Sequence, residues 1–279
     1  MSRLLRSRSS LILGAIVLFA AAVPAVVSAA SGPAGAAPPT LDHFQCYVAT
    51  AVPTAAVPAP FPLTPPAVLL KNAFAPLGFL AAIAPLQMHC NPTQKTLVTG
   101  AVTPITNPLA HLVCWGLKPN PGAPLPPLTL FHNQFGNGAL QATAIQSLCL
   151  PSWKDEQSPA NFPPPTAPPG LDHFVCYNVV HPVGTPAFTR PALVTLADQF
   201  WTHATKVGAP NLMCAPTKKI LDPAVGDPIL VNPTQFLVCF ATPASTAFVP
   251  RTVFAKNQFG IGAVKVLRNT ELCVPSIIG

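Results

Sequence analysis

The feature that most constrains the fold of this chain is a pair of cysteine motifs that occurs four times. Each occurrence opens with a short apolar stretch that ends in Cys and an aromatic residue, at 41–47, 110–115, 171–177 and 235–240. It closes with Cys-x-Pro, at 90–92, 149–151, 214–216 and 273–275. Between the two motifs lies a Phe, namely Phe74, Phe135, Phe200 and Phe259. This regularity predicts four copies of one structural unit. We name the segments A1 (41–95), B1 (110–154), A2 (171–219) and B2 (235–278).

The four segments fall into two related pairs. A1 and A2 share Leu-Asp-His-Phe at their start, whereas B1 and B2 share an upstream Asn-Pro and the sequence Asn-Gln-Phe-Gly. One A and one B segment together have an ordinary domain length. This pattern predicts two tandem domains, the first at 41–154 and the second at 171–279. The intervening stretch 155–170 is rich in Pro and predicts a semi-rigid linker.

Proline content and residue type indicate an all-β fold. The chain has 38 Pro among 279 residues, and Pro ends a helix by removing a donor and clashing with the preceding turn. Aromatic and β-branched residues predict short strands at 174–180, 252–256 and 262–267, the last two joined by a turn near Gly260. We therefore predict an antiparallel β-sandwich-like domain, or a small barrel, built from two related halves and stapled by disulfides.

The first forty residues predict export. Arg3, Arg6 and Arg8 precede an apolar run from Leu11 to Val23 and then small residues, which is typical of a signal peptide and too short for a membrane span. We predict a signal peptide at 1–30, a flexible lead-in at 31–40, a secreted or periplasmic/extracellular location, and no transmembrane segment after cleavage. Removing the leader leaves 12 basic against 8 acidic residues, or +4. These charges are scattered, so the sequence does not predict nucleic-acid binding.

Eight cysteines in an exported chain predict a disulfide framework. The four cysteines of one A–B pair allow three pairings, of which we favour bridges within each segment. The predicted bridges are Cys46–Cys90, Cys114–Cys149, Cys176–Cys214 and Cys239–Cys273. Metal binding is the rival interpretation, because His43, His111 and His173 each precede a Cys by three positions. Side chains alternate faces along a strand, so each His points away from that Cys while Phe44 shares its face. We predict no metal site.

Candidate catalytic residues are few. Asp42 and Asp172 occupy equivalent positions, each followed by a His (His43 and His173), and these are the possible functional pairs. The simpler interpretation is a carboxylate that ends a turn and a His on a solvent-facing strand position. Gly-x-Ser-x-Gly and His-Glu-x-x-His are absent from the sequence. We predict no catalytic residues and no cofactor. A Lys five residues after the closing Cys, at Lys95, Lys154 and Lys219, predicts a solvated loop end, and the four Phe residues predict core positions.

The Leu-Asp-His-Phe-x-Cys-Tyr opening, the Val-Thr-Leu-Ala-Asp-Gln-Phe at 194–200 and the Cys-x-Pro closure resemble an uncharacterised family of exported bacterial repeat domains, a domain of unknown function. The resemblance covers residues 41–278 and implies export and a repeated β-domain, without an activity.

The functional hypothesis is a non-catalytic protein of the cell envelope or extracellular matrix, with a binding or structural role. Its partner would be a glycan, cell-wall material or another envelope protein, because few charges oppose association. The alternative hypothesis is a secreted hydrolase that uses the repeated Asp-His pairs.

Overall fold

The structure, a computed structural model, describes residues 41–59, 61, 67–185, 188, 189, 191, 193–221 and 226–279. The predicted signal peptide and lead-in lie outside these residues. The described chain is all-β, with one short 3-10 turn at Pro159–Asn161. Within the described ranges, none of the helical structure has the length and apolar character that crossing a membrane would require.

The described residues form fourteen strands. In and after A1 these are β1 (His43–Val52), β2 (Val68–Asn72), β3 (Ala75–Leu97) and β4 (Val102–Thr103). In B1 they are β5 (His111–Pro119), β6 (Thr129–Asn133) and β7 (Gly136–Asp155). In A2 they are β8 (His173–Val180), β9 (Val194–Ala197), β10 (Thr202–Thr205) and β11 (Pro210–Ile220). In B2 they are β12 (Phe236–Ala241), β13 (Arg251–Asn257) and β14 (Gly260–Ile278). The strands predicted at 174–180, 252–256 and 262–267 lie within β8, β13 and β14.

Eight of the strands form a sheet that closes on itself, which we call the inner sheet. Each segment contributes its opening strand and its long last strand, in the order β1, β3, β5, β7, β8, β11, β12 and β14. Every neighbouring pair is antiparallel, and β14 pairs with β1 to complete the ring. Closure leaves no unpaired edge in this sheet. The ring needs the strands of all four segments, so it differs from the separate sandwich or small barrel predicted for each A–B pair.

The interior of the inner sheet contains a layer of eight sulfur atoms. The four bridges join Cys46–Cys90, Cys114–Cys149, Cys176–Cys214 and Cys239–Cys273, which is the predicted pairing within each segment. In each bridge the two cysteines are direct cross-strand partners. Eight strands enclose just enough space for side chains to fill, and the cavity left between the sulfurs measures about 10 Å³. That is close to the smallest volume that holds one water molecule.

The residues two positions from the cysteines close this layer on one side. Phe44 faces Pro92 and Phe174 faces Pro216 across the sheet, and the B segments place a Leu opposite each of their prolines. Since alternate residues of a strand share a face, the Pro of each Cys-x-Pro motif lies on the interior face with its Cys. The prediction that Phe44 shares the face of Cys46 is confirmed, because both are buried in one cluster.

The remaining strands form hairpins that cover the outside of the inner sheet. Each hairpin also pairs with the end of the long strand two segments away: β2 with β11, β9 with β3, β6 with β14, and β13 with β7. The larger hydrophobic core lies on the outer face of the inner sheet and includes Tyr47, Trp115, Tyr177 and Phe240. These four occupy the position after the opening Cys in each segment.

The predicted separation into two domains is not confirmed. The described residues from 41 to 279 belong to one compact unit, because β7 of the first pair hydrogen-bonds to β8 of the second and β14 closes onto β1. The predicted linker is attached to this unit as well. Trp153 Nε1 donates to the Pro165 carbonyl at 2.9 Å, and Lys256 Nζ donates to the Pro163 carbonyl at 2.6 Å.

Candidate functional site

The carboxylates of Asp42 and Asp172 hold the connections that lead from each A segment to its B segment. Asp42 accepts hydrogen bonds of 2.7 Å from the Thr106 backbone N–H, the Thr106 hydroxyl and the Asn107 backbone N–H. Asp172 accepts equivalent bonds of 2.8 and 2.7 Å from the backbone N–H groups of Val231 and Asn232. In both connections the second backbone donor is the Asn of the Asn-Pro sequence that precedes the B segment. Each carboxylate fastens a loop to the inner sheet.

The imidazoles of His43 and His173 lie in a different environment from that of the neighbouring Asp42 and Asp172 carboxylates. His43 is buried, and His173 Nε2 lies 3.2 Å from Gln258 Oε1. Burial lowers the pKa of His43 to about 3 and that of His173 to about 4, with the nearby amines of Lys95 and Lys219 acting in the same direction. Both rings are therefore neutral at pH 7. The solvent-facing position predicted for these His residues is wrong for His43, which is buried, whereas His173 is only partly buried beside the B2 hairpin tip.

The lysines that follow the closing motif are buried, which corrects the prediction of solvated loop ends. Each amine lies over the ring of the Phe at the hairpin tip of the next segment. The distances from Nζ to the ring centroid are 4.4 Å for Lys95 and Phe135, 4.3 Å for Lys154 and Phe200, and 5.0 Å for Lys219 and Phe259. Contact with a ring face stabilises an ammonium, but burial dominates and lowers the pKa of Lys95 and Lys219 to about 8.

Lys, His and Gln recur together in the first three segment junctions. The Lys sits five residues after the closing Cys, the His three residues before the opening Cys, and the Gln just before the tip Phe. The sets are Lys95, His43 and Gln134; Lys154, His111 and Gln199; and Lys219, His173 and Gln258. The fourth junction has Ile278, Phe236 and Ala73 instead, and there Phe74 packs on Phe236 with centroids 5.7 Å apart. All three polar groups are replaced together. We call each Lys, His and Gln set an amine cluster.

The first amine cluster is the most closely connected of the three. Lys95 Nζ donates to Gln134 Oε1, and the Thr103 hydroxyl donates to the same oxygen at 3.3 Å. Lys219 Nζ makes no hydrogen bond to any described residue, because Gln258 faces His173 instead. In the second cluster, Lys154 Nζ contacts Glu156 Oε1 at 3.1 Å.

A second polar group, between A1 and B1, breaks the similarity of the segments. His89 and Asn91 flank the closing Cys90, where the other segments have only apolar residues. His89 Nε2 and His111 Nδ1 lie 2.9 and 3.1 Å from Asn91 Oδ1. Because that oxygen only accepts, both ring nitrogens carry the hydrogen. Burial lowers the pKa of His89 to about 3 and holds that of His111 well below its usual range.

Metal-ligand residue types converge at one place among the described residues, where Cys239, Glu271 and Cys273 lie within 4.8 Å of one another. The two cysteines are bridged to each other, so their sulfurs are not thiolates. The His residues three positions before Cys46, Cys114 and Cys176 lie outside the inner sheet, whereas the sulfurs lie inside it. The structure therefore does not bring these His and Cys residues together.

Comparison with known proteins gives no relative: no protein-family model, curated protein or solved structure matches the chain. The resemblance to an exported repeat family stays a prediction. The amine clusters could have been identified from the sequence itself. Lys, His and Gln occur together at three junctions, and all three are replaced at the fourth.

Proposed function

We propose that this chain is an exported, non-catalytic binding protein of the cell envelope or extracellular matrix. The observation that carries the proposal is the pair of connections fastened by Asp42 and Asp172. The closed, cross-linked inner sheet provides a rigid base for both connections, and rigid presentation reduces the entropy lost on binding.

The two connections lie at the same end of the inner sheet, because β3 and β11 run in the same direction and each leads into one of them. Both present aliphatic side chains to solvent. Val98 and Leu109 are exposed in the first, and Ile229 and Val231 in the second, where Ile229 is 93% exposed. The first connection, residues 98–109, contains no charged residue. An apolar surface of this kind is typical of a contact with another macromolecule.

The chemistry of this surface favours a protein partner over a glycan. Sugar rings pack their C–H faces against exposed aromatic rings, and none of the described aromatic side chains is exposed. Aliphatic side chains next to backbone groups suit the core of a protein interface. The partner class supported best is therefore another envelope protein, and cell-wall material is the alternative outcome of the test.

A retention experiment tests the proposal. The purified exported protein is incubated with envelope proteins extracted from its own host and, separately, with protein-free cell-wall polysaccharide. We expect retention by a discrete protein that is lost in an Ile229→Ser, Val231→Ser double variant. The matched control is Leu77→Ser, since Leu77 is equally exposed outside these connections. Retention unaffected by the double variant, or seen only with polysaccharide, would contradict the proposed surface.

The alternative hypothesis of an Asp-His hydrolase gains no support from these contacts. Both carboxylates are engaged with backbone N–H groups, and within the described residues no hydrogen bond joins Asp42 to His43. Because the imidazole is buried beneath a hairpin tip, a substrate would have to displace that tip before reaching it.

A further inference from the structure

The first amine cluster contains the parts of an acyl-transfer site. Gln134 offers a carboxamide, and Lys95 Nζ contacts its oxygen. The Thr103 hydroxyl donates to that same oxygen at 3.3 Å, where it would stabilise negative charge that develops during attack on the carbonyl carbon. The Lys95 amine and the Gln134 carboxamide both lie near enough to His43 to affect the pKa of its imidazole, and His43 Nε2 is buried with no hydrogen-bond partner among the described residues.

The state of these groups suits a reaction between them. Lys95 is fully buried and rests on the Phe135 ring, and burying an ammonium with few partners is costly. Burial lowers the pKa of Lys95 to about 8, so a sizeable fraction of the amine is neutral and nucleophilic near that pH. The low pKa of His43 keeps its imidazole neutral and able to accept a proton.

We propose that Lys95 and Gln134 join in an intramolecular isopeptide bond. Neutral Lys95 Nζ attacks Gln134 Cδ, and the carbonyl electrons move to Oε1, which the Thr103 hydroxyl stabilises. His43 takes a proton from the attacking nitrogen and passes it to the Gln134 amide nitrogen. The Cδ–Nε2 bond then breaks, the carbonyl re-forms, and one ammonia leaves. The product is a secondary amide between Nζ and Cδ, and no external reactant is consumed.

Two features favour the product. A neutral amide replaces a buried amine, which removes the cost of desolvating its charge. The fold also holds nucleophile and carboxamide in contact, so the reaction is intramolecular and its entropic cost has already been met in folding. The bond would connect residues 39 positions apart and would fasten the B1 hairpin tip to the end of β3.

The other two amine clusters serve as internal comparisons. Gln258 is turned toward His173, and Lys219 has no hydroxyl donor equivalent to Thr103, since Asp227 stands eight residues after it. Gln199 donates to the Pro108 carbonyl at 3.1 Å, and Lys154 pairs with Glu156. The geometry therefore points to the first cluster as the site of the bond.

Mass spectrometry of the exported full chain tests this proposal directly. After all bridges are reduced and alkylated, we expect an intact mass lower than that of the sequence by one ammonia, from the N-terminus identified by peptide mapping. Trypsin should fail to cleave after Lys95 and should release a branched peptide that contains Lys95 and Gln134.

Variants distinguish formation of this bond from other reactions that release ammonia. Gln134→Ala should restore the full mass, whereas the matched variant Gln258→Ala should keep the deficit. His43→Ala should slow the appearance of the deficit in freshly refolded protein. The wild-type measurement stands even where a variant does not fold. A wild-type chain of full mass, with tryptic cleavage after Lys95, would overturn the proposal.

Discussion

The hydroxyl of Tyr47 donates a hydrogen bond of 2.7 Å to the Asp198 carboxylate, and this contact joins A1 to A2 across the core. The indole of Trp201 donates to the same hydroxyl at 3.1 Å, and Asn91 Nδ2 donates to the carboxylate at 3.3 Å. Burial raises the pKa of Asp198, although the Tyr47 and backbone hydrogen bonds act against that rise. Asp198 takes the position that Asn72, Asn133 and Asn257 occupy in the other segments.

Replacing Asp198 by Asn, the residue of the other three segments, should destabilise the protein. The new amide would direct its N–H groups at the Asn91 donor, leaving a buried group unpaired. We expect a loss of about 1–3 kcal/mol in the free energy of unfolding, measured by urea titration at pH 7. Asp227→Asn is the control, because Asp227 forms partly exposed ion pairs with Lys71 and Lys218. Equal stability of the two variants would contradict the importance of the Tyr47 contact.

The buried imidazoles of His43, His89 and His111, with the partly buried imidazole of His173, should make the protein sensitive to acid. His43, His89, His111 and His173 all have pKa values held below the ordinary 6.5 by burial. Such a group contributes stability that is present above pH 6.5 and is lost as the pH falls, because the unfolded chain binds the proton more tightly. Each imidazole should lower the free energy of unfolding by about 1.4 kcal/mol for every pH unit below 6. Guanidinium titrations at pH 7 and pH 5 measure the net change in stability, which also includes His203, whose pKa burial lowers, and the opposite effect of Glu271.

A substitution isolates one of these groups. His89→Leu introduces the residue found before the closing Cys in both B segments. The variant should lose less unfolding free energy between pH 7 and pH 5 than wild type, by the contribution of one imidazole. His132→Leu, which changes an exposed imidazole, should leave the dependence as it is. If His89→Leu and wild type lose stability equally between pH 7 and pH 5, His89 is not the buried neutral group described above.

Glu271 should affect the pH dependence of stability in the direction opposite to the His residues. Its side chain lies beside the sulfur layer, and burial raises its pKa to about 7 while the Asn211 hydrogen bond opposes the rise. A raised folded pKa gives stability that is complete below the ordinary 4.5 and is lost as the pH rises through 7. The Glu271→Gln variant should therefore gain about 3 kcal/mol relative to wild type between pH 4.5 and pH 8.

The control for Glu271 is Glu156→Gln, since the Glu156 side chain is 42% exposed. Unfolding free energies of both variants and of wild type at pH 5 and pH 8 provide the comparison. A pH-independent difference between Glu271→Gln and wild type would contradict a buried, protonated carboxyl.

Removing one bridge from the sulfur layer should weaken the whole sheet. The Cys114→Ala, Cys149→Ala double variant is expected to lose about 2–5 kcal/mol, measured by guanidinium titration under oxidising conditions. Cys149 Sγ also contacts Cys176 Sγ at 3.7 Å, so deletion of the Cys176–Cys214 bridge in the same chain should give a non-additive loss. Strictly additive losses would show that the two bridges do not share a packing environment.

Patterns repeated within the sequence predicted the features that depend on local chemistry. Proline and β-branched residues indicated strands, and the turn near Gly260 joins β13 to β14 as expected. The repeat allowed three cysteine pairings, of which we favoured bridges within each segment, and the structure has that pairing. Lys95 and Lys219 were wrongly predicted to be solvated, as a Lys after Cys-x-Pro ordinarily is. Each is buried because the hairpin tip of another segment covers it.

The sequence by itself determined an all-β, disulfide-stapled chain with four similar segments, because strand propensity, proline and cysteine spacing act over short distances. Only the tertiary structure decided that the strands close into one inner sheet, that the hairpins pair two segments away, and that Lys95, Gln134, Thr103 and His43 meet. Those contacts join residues far apart in the chain. Their partners are selected by sheet closure and by burial against a shared core, which no single segment can provide.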